Sequence, residues 1–349
     1  MTSDAIQKLR EVRAFDQYPA PDHLQQYHVP FEDIVPGEVV ESRLHELALN
    51  RERIGLVGRS GAGKSSAIAY AFGPLVEGIA PVIVPIRSED PAVASDVKAF
   101  ARHVVQMLGR SLVHARKIDE SQLRELRAAA STETRSRTVN SPQAQIGLPS
   151  WLLDAGITSG MSAVVAQFDD SKSTAEVVDV ARRALGVLES RDLVPILIID
   201  DSDAWLARPG AKTEEATIAR FFGETLRVVT DLPCALVVAV HEGYLDLDGY
   251  PQHTGIIDQQ IRIPRLPDVE CLGRLVEGRA QCCDVVVPAS EILTDSALDQ
   301  VYDYYRSDVG AFSIRRVMLL LHSALDHANQ GLADVIGPSD LDAALSVMP

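Results

Sequence analysis

An eight-residue stretch constrains the fold of this chain more than any other part of its sequence. Residues 58–65 read G-R-S-G-A-G-K-S, which matches the pattern G-x-x-x-x-G-K-[ST]. The apolar run 53–57 leads into it as a short strand, and residues 66–72 continue as an apolar helix. Glycines let successive backbone N–H groups turn toward one anion at the N-terminus of a helix. The stretch therefore predicts a phosphate-binding loop, or P-loop, between a strand and a helix.

The P-loop pattern assigns roles to particular side chains. Lys64 is expected to contact the β- and γ-phosphates of a nucleoside triphosphate, and Ser65 to bind Mg²⁺. An ordinary glycine-rich turn between a strand and a helix is the alternative. The residues predicted to bind nucleotide are Gly58, Arg59, Ser60, Gly61, Ala62, Gly63, Lys64, Ser65 and Ser66.

Length and charge limit the class of protein that carries this loop. A chain of 349 residues, 46% of them hydrophobic, is expected to form one large α/β domain with a smaller appendage. The net charge of −16 argues against a surface that is wholly a nucleic-acid platform. The four cysteines show neither metal-binding spacing nor a disulfide framework, and no window reaches about 20 continuous apolar residues. We expect a cytoplasmic protein that does not contact a membrane.

Strand-like and helix-like runs alternate after the P-loop. Short β-rich runs at 81–86, 195–199, 234–240 and 259–264 are separated by helical periods at 92–114, 174–190 and 215–230. Such alternation favours a parallel sheet. Beyond residue 265 the pattern is helical, with Asp268, Ser290 and Ser339 as expected N-caps. The predicted domains are an N-terminal arm (1–35), an α/β core (36–264, with an insertion at about 115–170) and a helical lid (265–349).

The strand at 195–199 ends in the carboxylates of Asp200 and Asp201. Chemistry is expected at the C-terminal end of a buried parallel strand. We assign Asp200 to the metal and Asp201 to the attacking water, with Asp203 as a weaker candidate. A strand that ends in a solvated acidic loop is the alternative.

Two further features have open interpretations. His241 follows the strand 234–240, and its side chain is within reach of a γ-phosphate if that strand neighbours the Asp200 strand; structural and sensing roles both remain open. The window Arg110–Arg137 holds seven Lys or Arg against four Asp or Glu. It is either a solvated helix face or a surface for DNA or an acidic partner.

The order of these motifs resembles that of the AAA+ ATPases and the related STAND nucleotidases. Within AAA+, it is most similar to the initiator and transposition-regulator clade, whose lid carries a sensor 2 arginine before an apolar helix. Arg315 matches that arginine, with Arg316 as the alternative in register, and His241 takes the sensor 1 position. The resemblance implies a P-loop NTPase three-layer α/β fold of AAA+ type, with a parallel sheet and a C-terminal α-helical lid.

The same resemblance implies an ATPase that uses ATP and Mg²⁺, works as a homo-oligomer and couples nucleotide state to assembly or to a protein or DNA partner. The implied catalytic set is Lys64, Asp201, His241 and Arg315. Asp201 replaces the usual glutamate, which implies slow turnover or a switch. No arginine finger matches a motif, although Arg220, Arg227, Arg262 and Arg265 lie in the region. The alternatives are a STAND-like regulatory switch with little turnover and a DNA-associated assembly factor.

Overall fold

A computed structural model describes residues 3–16, 24–73, 76–86, 91–114, 173–190, 192–200, 212–245 and 255–348. The strands in these residues are β1 (Arg53–Gly58), β2 (Ile79–Pro85), β3 (Val194–Asp200), β4 (Ala235–His241) and β5 (Gln259–Arg262). The helices in them are α1 (Ser3–Glu11), α2 (Phe31–Ile34), α3 (Val40–Leu49), α4 (Lys64–Phe72), α5 (Pro91–Ser95), α6 (Val97–His114), α7 (Thr174–Glu189), α8 (Lys212–Arg220), α9 (Val269–Gln281), α10 (Asp295–Arg306), α11 (Ile314–Gln330) and α12 (Pro338–Val347).

The five strands form a parallel sheet in the order β2-β3-β4-β1-β5. In the pairing of β1 with β5, Leu56 lies opposite Ile261; in that of β2 with β3, Val82 lies opposite Leu197. Strand β3 is apolar and buried from its second to its sixth residue, as is typical of a parallel strand covered on both faces. The predicted α/β class with a parallel sheet is confirmed.

The chain divides into two compact units. The first comprises Met1–Glu77, Val237–Asp248 and Ile257–Pro349, and the second comprises Gly78–Leu236 and Gly249–Ile256. The P-loop, the arm and the C-terminal helices thus belong to one unit. The proposed boundaries of an ATPase core at 36–264 and a lid at 265–349 stay a prediction.

In the second unit, two predicted helices are interrupted. The expected helix 92–114 breaks at Asp96, because its carboxylate accepts the Ala99 amide at 2.7 Å and caps the start of α6. The expected helix 215–230 changes at Arg220 into a π turn (Phe221–Thr225) and then a 3₁₀ turn. The π turn adds a residue to the helix, and both Phe221 and its neighbour Phe222 are buried there.

The starts of the C-terminal helices agree only in part with the predicted caps. The Asp268 carboxylate accepts the Cys271 amide at 2.8 Å, which confirms the cap predicted for α9. The prediction of Ser290 was wrong: Ser290 lies inside a separate 3₁₀ turn (Ala289–Glu291), and Thr294 caps α10. Gly337 precedes α12, where Ser339 had been expected.

The N-terminal arm lies on these helices through one buried arginine. Arg279 of α9 is 7% exposed, and its guanidinium donates to the carbonyl oxygens of Ala14, Asp16 and Tyr27. It also lies 4.8 Å from the centre of the Tyr27 ring. Burial lowers the pKa of Arg279. The arm is therefore anchored by its backbone, although its sequence shows no long regular element.

Across the described segments, no helix combines the length and the apolar character that crossing a membrane requires.

Candidate nucleotide-binding site

Two glycines of the P-loop adopt left-handed backbone conformations. Gly61 has a φ of 74° and Gly63 a φ of 108°, and Gly63 is the N-cap of α4. An L side chain rarely takes such values, because its Cβ approaches the following carbonyl oxygen. The chain therefore turns from β1 into α4 at the glycines of the motif. The first N–H groups of α4 lack helical partners, which suits them to an anion.

Lys64 is the first residue of α4, and it is only 5% exposed. Its Nζ donates to the carbonyl oxygens of Gly58 at 2.8 Å and of Arg59 at 2.9 Å. The ammonium group is thus held against the first residues of the loop. Ser65 and Ser66 follow in the first turn of the helix, and both are half-buried.

The N-terminus of α11 contacts the P-loop directly. The Arg315 amide donates to the Gly61 carbonyl oxygen at 3.0 Å. Ser313, the N-cap of α11, accepts the Arg316 amide. A Cβ on Gly61 would lie 2.2 Å from Ser313 Oγ and 3.0 Å from Arg315 Cβ. Position 61 therefore requires glycine both for its backbone angle and for the approach of α11.

Arg315, the predicted sensor 2 residue, contacts the P-loop through its backbone amide. The side chains of Arg315 and Arg316 are both exposed. Contact of either guanidinium with a phosphate stays a prediction.

Four side chains form what we call the Glu242 cluster: Arg59, Glu242, Arg265 and Phe312. Arg59 Nε donates to Glu242 Oε1, and Arg265 Nη2 donates to the same oxygen at 3.1 Å. The Phe312 ring lies 5.5 Å from the Arg59 guanidinium carbon and 4.5 Å from that of Arg265. The cluster lines a small pocket together with Ala62 of the P-loop. It joins the P-loop, the turn after β4 and the segment before α11.

The charge of the Glu242 cluster is set by its two arginines. Burial raises the pKa of Glu242, but the hydrogen bond and charge of Arg59 and the charge of Arg265 outweigh burial, so the pKa lies below its ordinary value of 4.5. The carboxylate is 30% exposed and shared by two guanidinium groups. It is therefore part of a network, which contributes more than an isolated surface ion pair.

His241 ends β4 and has an observed structural contact. Its Nδ1 accepts the Gly243 amide at 3.0 Å and caps the turn Glu242–Tyr244. Its ring also meets Tyr244 edge-on, with ring centres 5.9 Å apart. The predicted sensing role remains a proposal beside this contact.

The arm reaches the P-loop helix through a buried histidine, which the sequence patterns did not indicate. His28 Nδ1 lies 2.8 Å from Ser66 Oγ, and His28 Nε2 lies 2.6 Å from Glu41 Oε1. The Glu41 carboxylate also accepts the Phe31 amide. His28 and Glu41 are 7% and 5% exposed. The first turn of α4 is thus connected to both the arm and α3.

The remaining predicted residues are only partly within the described structure. Asp200 is the last residue of β3, half-buried, and its carbonyl oxygen accepts the Ile86 amide at 2.9 Å. Asp201 and Asp203 lie outside the described residues, as do the insertion at about 115–170 and most of the basic window Arg110–Arg137. Of the finger candidates, Arg265 is paired with Glu242 and Arg227 donates to the Gly223 carbonyl oxygen.

Three similar solved structures are of proteins from Aeropyrum pernix and Pyrobaculum aerophilum. The ORC2 protein of Aeropyrum pernix (ADPNP-ADP complexes) has a TM-score of 0.49 and 16% identity, covering 96% of this chain and 71% of that one. The ORC1 protein of the same organism in complex with DNA has a TM-score of 0.45 and 14% identity, with 90% and 68% covered. CDC6P from Pyrobaculum aerophilum has a TM-score of 0.46 and 17% identity, with 91% and 71% covered.

No protein-family model matches the chain, and no curated protein sequence shows significant similarity to it.

Proposed function

We propose that this chain is an AAA+ type ATPase that binds ATP with Mg²⁺ at residues 58–66 and hydrolyses it. The observation that supports binding most strongly is the loop itself. Gly61 and Gly63 are left-handed, α4 begins directly after them, and Lys64 is buried against the loop backbone. Each of these features suits the binding of a polyphosphate. An ordinary turn between a strand and a helix does not need all three.

The residues present fit Mg²⁺ as a companion of the nucleotide. Among the described residues, no three His, Cys, Asp or Glu side chains converge as a metal site. Mg²⁺ commonly uses one or two protein oxygens together with phosphates and water, and we propose Ser65 and Asp200 as the residues that would supply them. When bound, the ion neutralises the charge that develops on the phosphate oxygens.

The protein groups would divide the remaining work. Lys64 donates to the β- and γ-phosphate oxygens, and the backbone N–H groups of the loop hold the phosphates in line. Asp201 orients the attacking water through its carboxylate. Arg315 and His241 contact the γ-phosphate side, which makes the position of the lid depend on the nucleotide.

Binding and turnover are tested separately on the full chain. ATP affinity is measured by calorimetry with Mg²⁺, and phosphate release by a coupled assay. We expect Lys64→Ala to lose binding and Asp201→Asn to keep binding but lose phosphate release. Lys8→Ala removes an exposed lysine of the same unit and serves as control. A wild-type chain that binds no ATP would overturn the proposal; one that binds ATP and releases no phosphate would identify the switch instead.

The partners follow from the same proposal. We propose a homo-oligomer that forms with ATP and contacts a protein or DNA partner, the latter through the basic window Arg110–Arg137. Mass photometry with ADP and with a non-hydrolysable ATP analogue tests the oligomer, and a monomer under both conditions contradicts it. DNA binding that weakens with salt and with Arg124→Ala plus Arg127→Ala supports the DNA contact. No binding at low salt excludes it.

A further inference from the structure

We propose that the Glu242 cluster is a latch that holds the N-terminus of α11 on the P-loop and slows the release of bound nucleotide. Glu242 and Phe312 are then positioning residues of the site, acting through Arg59 and through the α11 backbone. This inference rests on the proposed nucleotide binding and adds to it a means of regulating residence time.

The first step is the sharing of one carboxylate. Glu242 Oε1 accepts from Arg59, which belongs to the P-loop, and from Arg265, which follows β5. Without that carboxylate, the two guanidinium groups would face each other around one aromatic ring and repel. Glu242 therefore makes the arrangement of the two arginines possible.

The second step is the capture of Phe312. Both guanidinium carbons lie within 6 Å of the ring centre, the range in which a cation is attracted by an aromatic ring. Arg59 also donates to the Ala311 carbonyl oxygen at 3.4 Å. The segment just before α11 is thus held by its side chain and by its backbone.

The third step is the conformation of that segment. Ala311 has a φ of 50° and Phe312 a φ of 56°, so two successive residues with side chains occupy the left-handed region. This conformation is unfavourable for L residues and persists only where surrounding contacts hold it. Ser313 and the Arg315 bond to Gly61 follow immediately. Loss of the Phe312 contacts should therefore release α11 from the P-loop.

The fourth step joins the latch to the nucleotide. Arg59 holds Phe312 and Glu242 with its side chain, while its carbonyl oxygen accepts Lys64 Nζ at 2.9 Å. A displacement of Arg59 thus reaches the residue that contacts the phosphates. Opening of the latch would release the N-terminus of α11 from the P-loop and would loosen the position of Lys64.

Nucleotide residence time is the first test. The dissociation rate of a fluorescent ATP analogue with Mg²⁺ is measured by stopped flow for the full chain. We expect Glu242→Gln and Phe312→Ala to dissociate about tenfold faster than wild type, because they remove the charge pair and the ring contacts. Phe312→Tyr keeps the ring and should stay near wild type. Glu277→Gln removes an exposed carboxylate of α9 and is the matched control.

Hydrogen exchange of the Arg315 amide is the second test, and it needs no nucleotide. We expect this amide to lose protection in Glu242→Gln, while amides in the middle of α11 keep theirs. Unchanged protection together with unchanged dissociation rates would overturn the latch. A wild-type chain that binds no nucleotide would instead overturn the proposed function, and the Arg315 amide would still decide the latch. Glu242→Gln conserves size, so it remains informative if Phe312→Ala does not fold.

Discussion

The Arg315 amide donates to the Gly61 carbonyl oxygen, so the first turn of α11 is completed by the P-loop. The first N–H groups of any helix need partners from outside the helix. Here the Ser313 side chain supplies one of these partners and the P-loop supplies another. A change in the loop backbone therefore acts on the start of α11 without an intermediate residue.

Gly61→Ala should lower the stability of the fold by more than the unfavourable backbone angle alone would. A Cβ would meet Ser313 Oγ at 2.2 Å, and Ser313 could rotate away only by giving up its cap of α11. Gly37→Ala is the matched control, because Gly37 has a φ of 88° with nothing within 4 Å of the added carbon. In each variant, holding alanine in the left-handed backbone region lowers stability by about 1–2 kcal/mol. Urea denaturation should show a larger loss for Gly61→Ala, and equal losses would contradict this contact.

Gly310→Ala should destabilise the C-terminal helices strongly. Its Cβ would lie 1.8 Å from the Tyr304 carbonyl oxygen, a backbone atom that cannot move without shifting α10. Gly331→Ala is the comparison, since its Cβ would be 3.5 Å from the nearest carbonyl oxygen. We expect a loss of more than about 3 kcal/mol for Gly310→Ala and less than about 1 kcal/mol for Gly331→Ala, measured as free energies of unfolding. Similar stability of the two variants would refute the close approach.

His28→Ala should lower stability by about 1–3 kcal/mol, because it leaves the buried Glu41 carboxylate without the ring that contacts it. His45→Ala serves as comparison: that ring is half-buried, with Nδ1 3.3 Å from the Ala71 carbonyl oxygen. We expect a smaller loss for His45→Ala in urea denaturation. A loss for His28→Ala no greater than for His45→Ala would count against the connection between the arm and α4.

The contribution of Glu242 to stability should decrease at acid pH. Its pKa in the folded chain lies below the ordinary 4.5. Its stabilisation is therefore complete above that ordinary value and is lost as the pH falls through the folded pKa. The difference in unfolding free energy between wild type and Glu242→Gln should be constant from pH 7 to about 5 and shrink below about 4.5. Glu277→Gln controls for the number of charges, and a difference independent of pH would be contrary to the expectation.

Local patterns in the sequence were sufficient for the P-loop and for most elements around it. The spacing of Gly58, Gly63 and Lys64 states which backbone and which cation are needed, and the structure has the strand, turn and helix that follow from it. Apolar periodicity located the helices but not their breaks. The break at Asp96 depends on one side-chain bond, and the π turn at Phe221 depends on packing of neighbouring rings.

The Glu242 cluster and the His28 contacts could not be predicted in the same way. Arg59 and Glu242 are 183 residues apart in the chain, and His28 and Ser66 are 38 apart. Such contacts carry no periodic signal, because tertiary packing rather than local propensity brings the partners together. The sequence signs that bear on the Glu242 cluster are an arginine inside the P-loop and a glutamate directly after His241.

The pairing of Arg59 with Glu242 also bears on how this chain could diverge. Position 59 is one of the four positions that the P-loop pattern leaves open. Here the Arg59 guanidinium pairs with the carboxylate of Glu242, which follows β4. Among descendants of the same ancestor, replacements at 59 and 242 should be inherited together. A lineage that lost one charge would be expected to lose the other, while the glycines and Lys64 stayed unchanged.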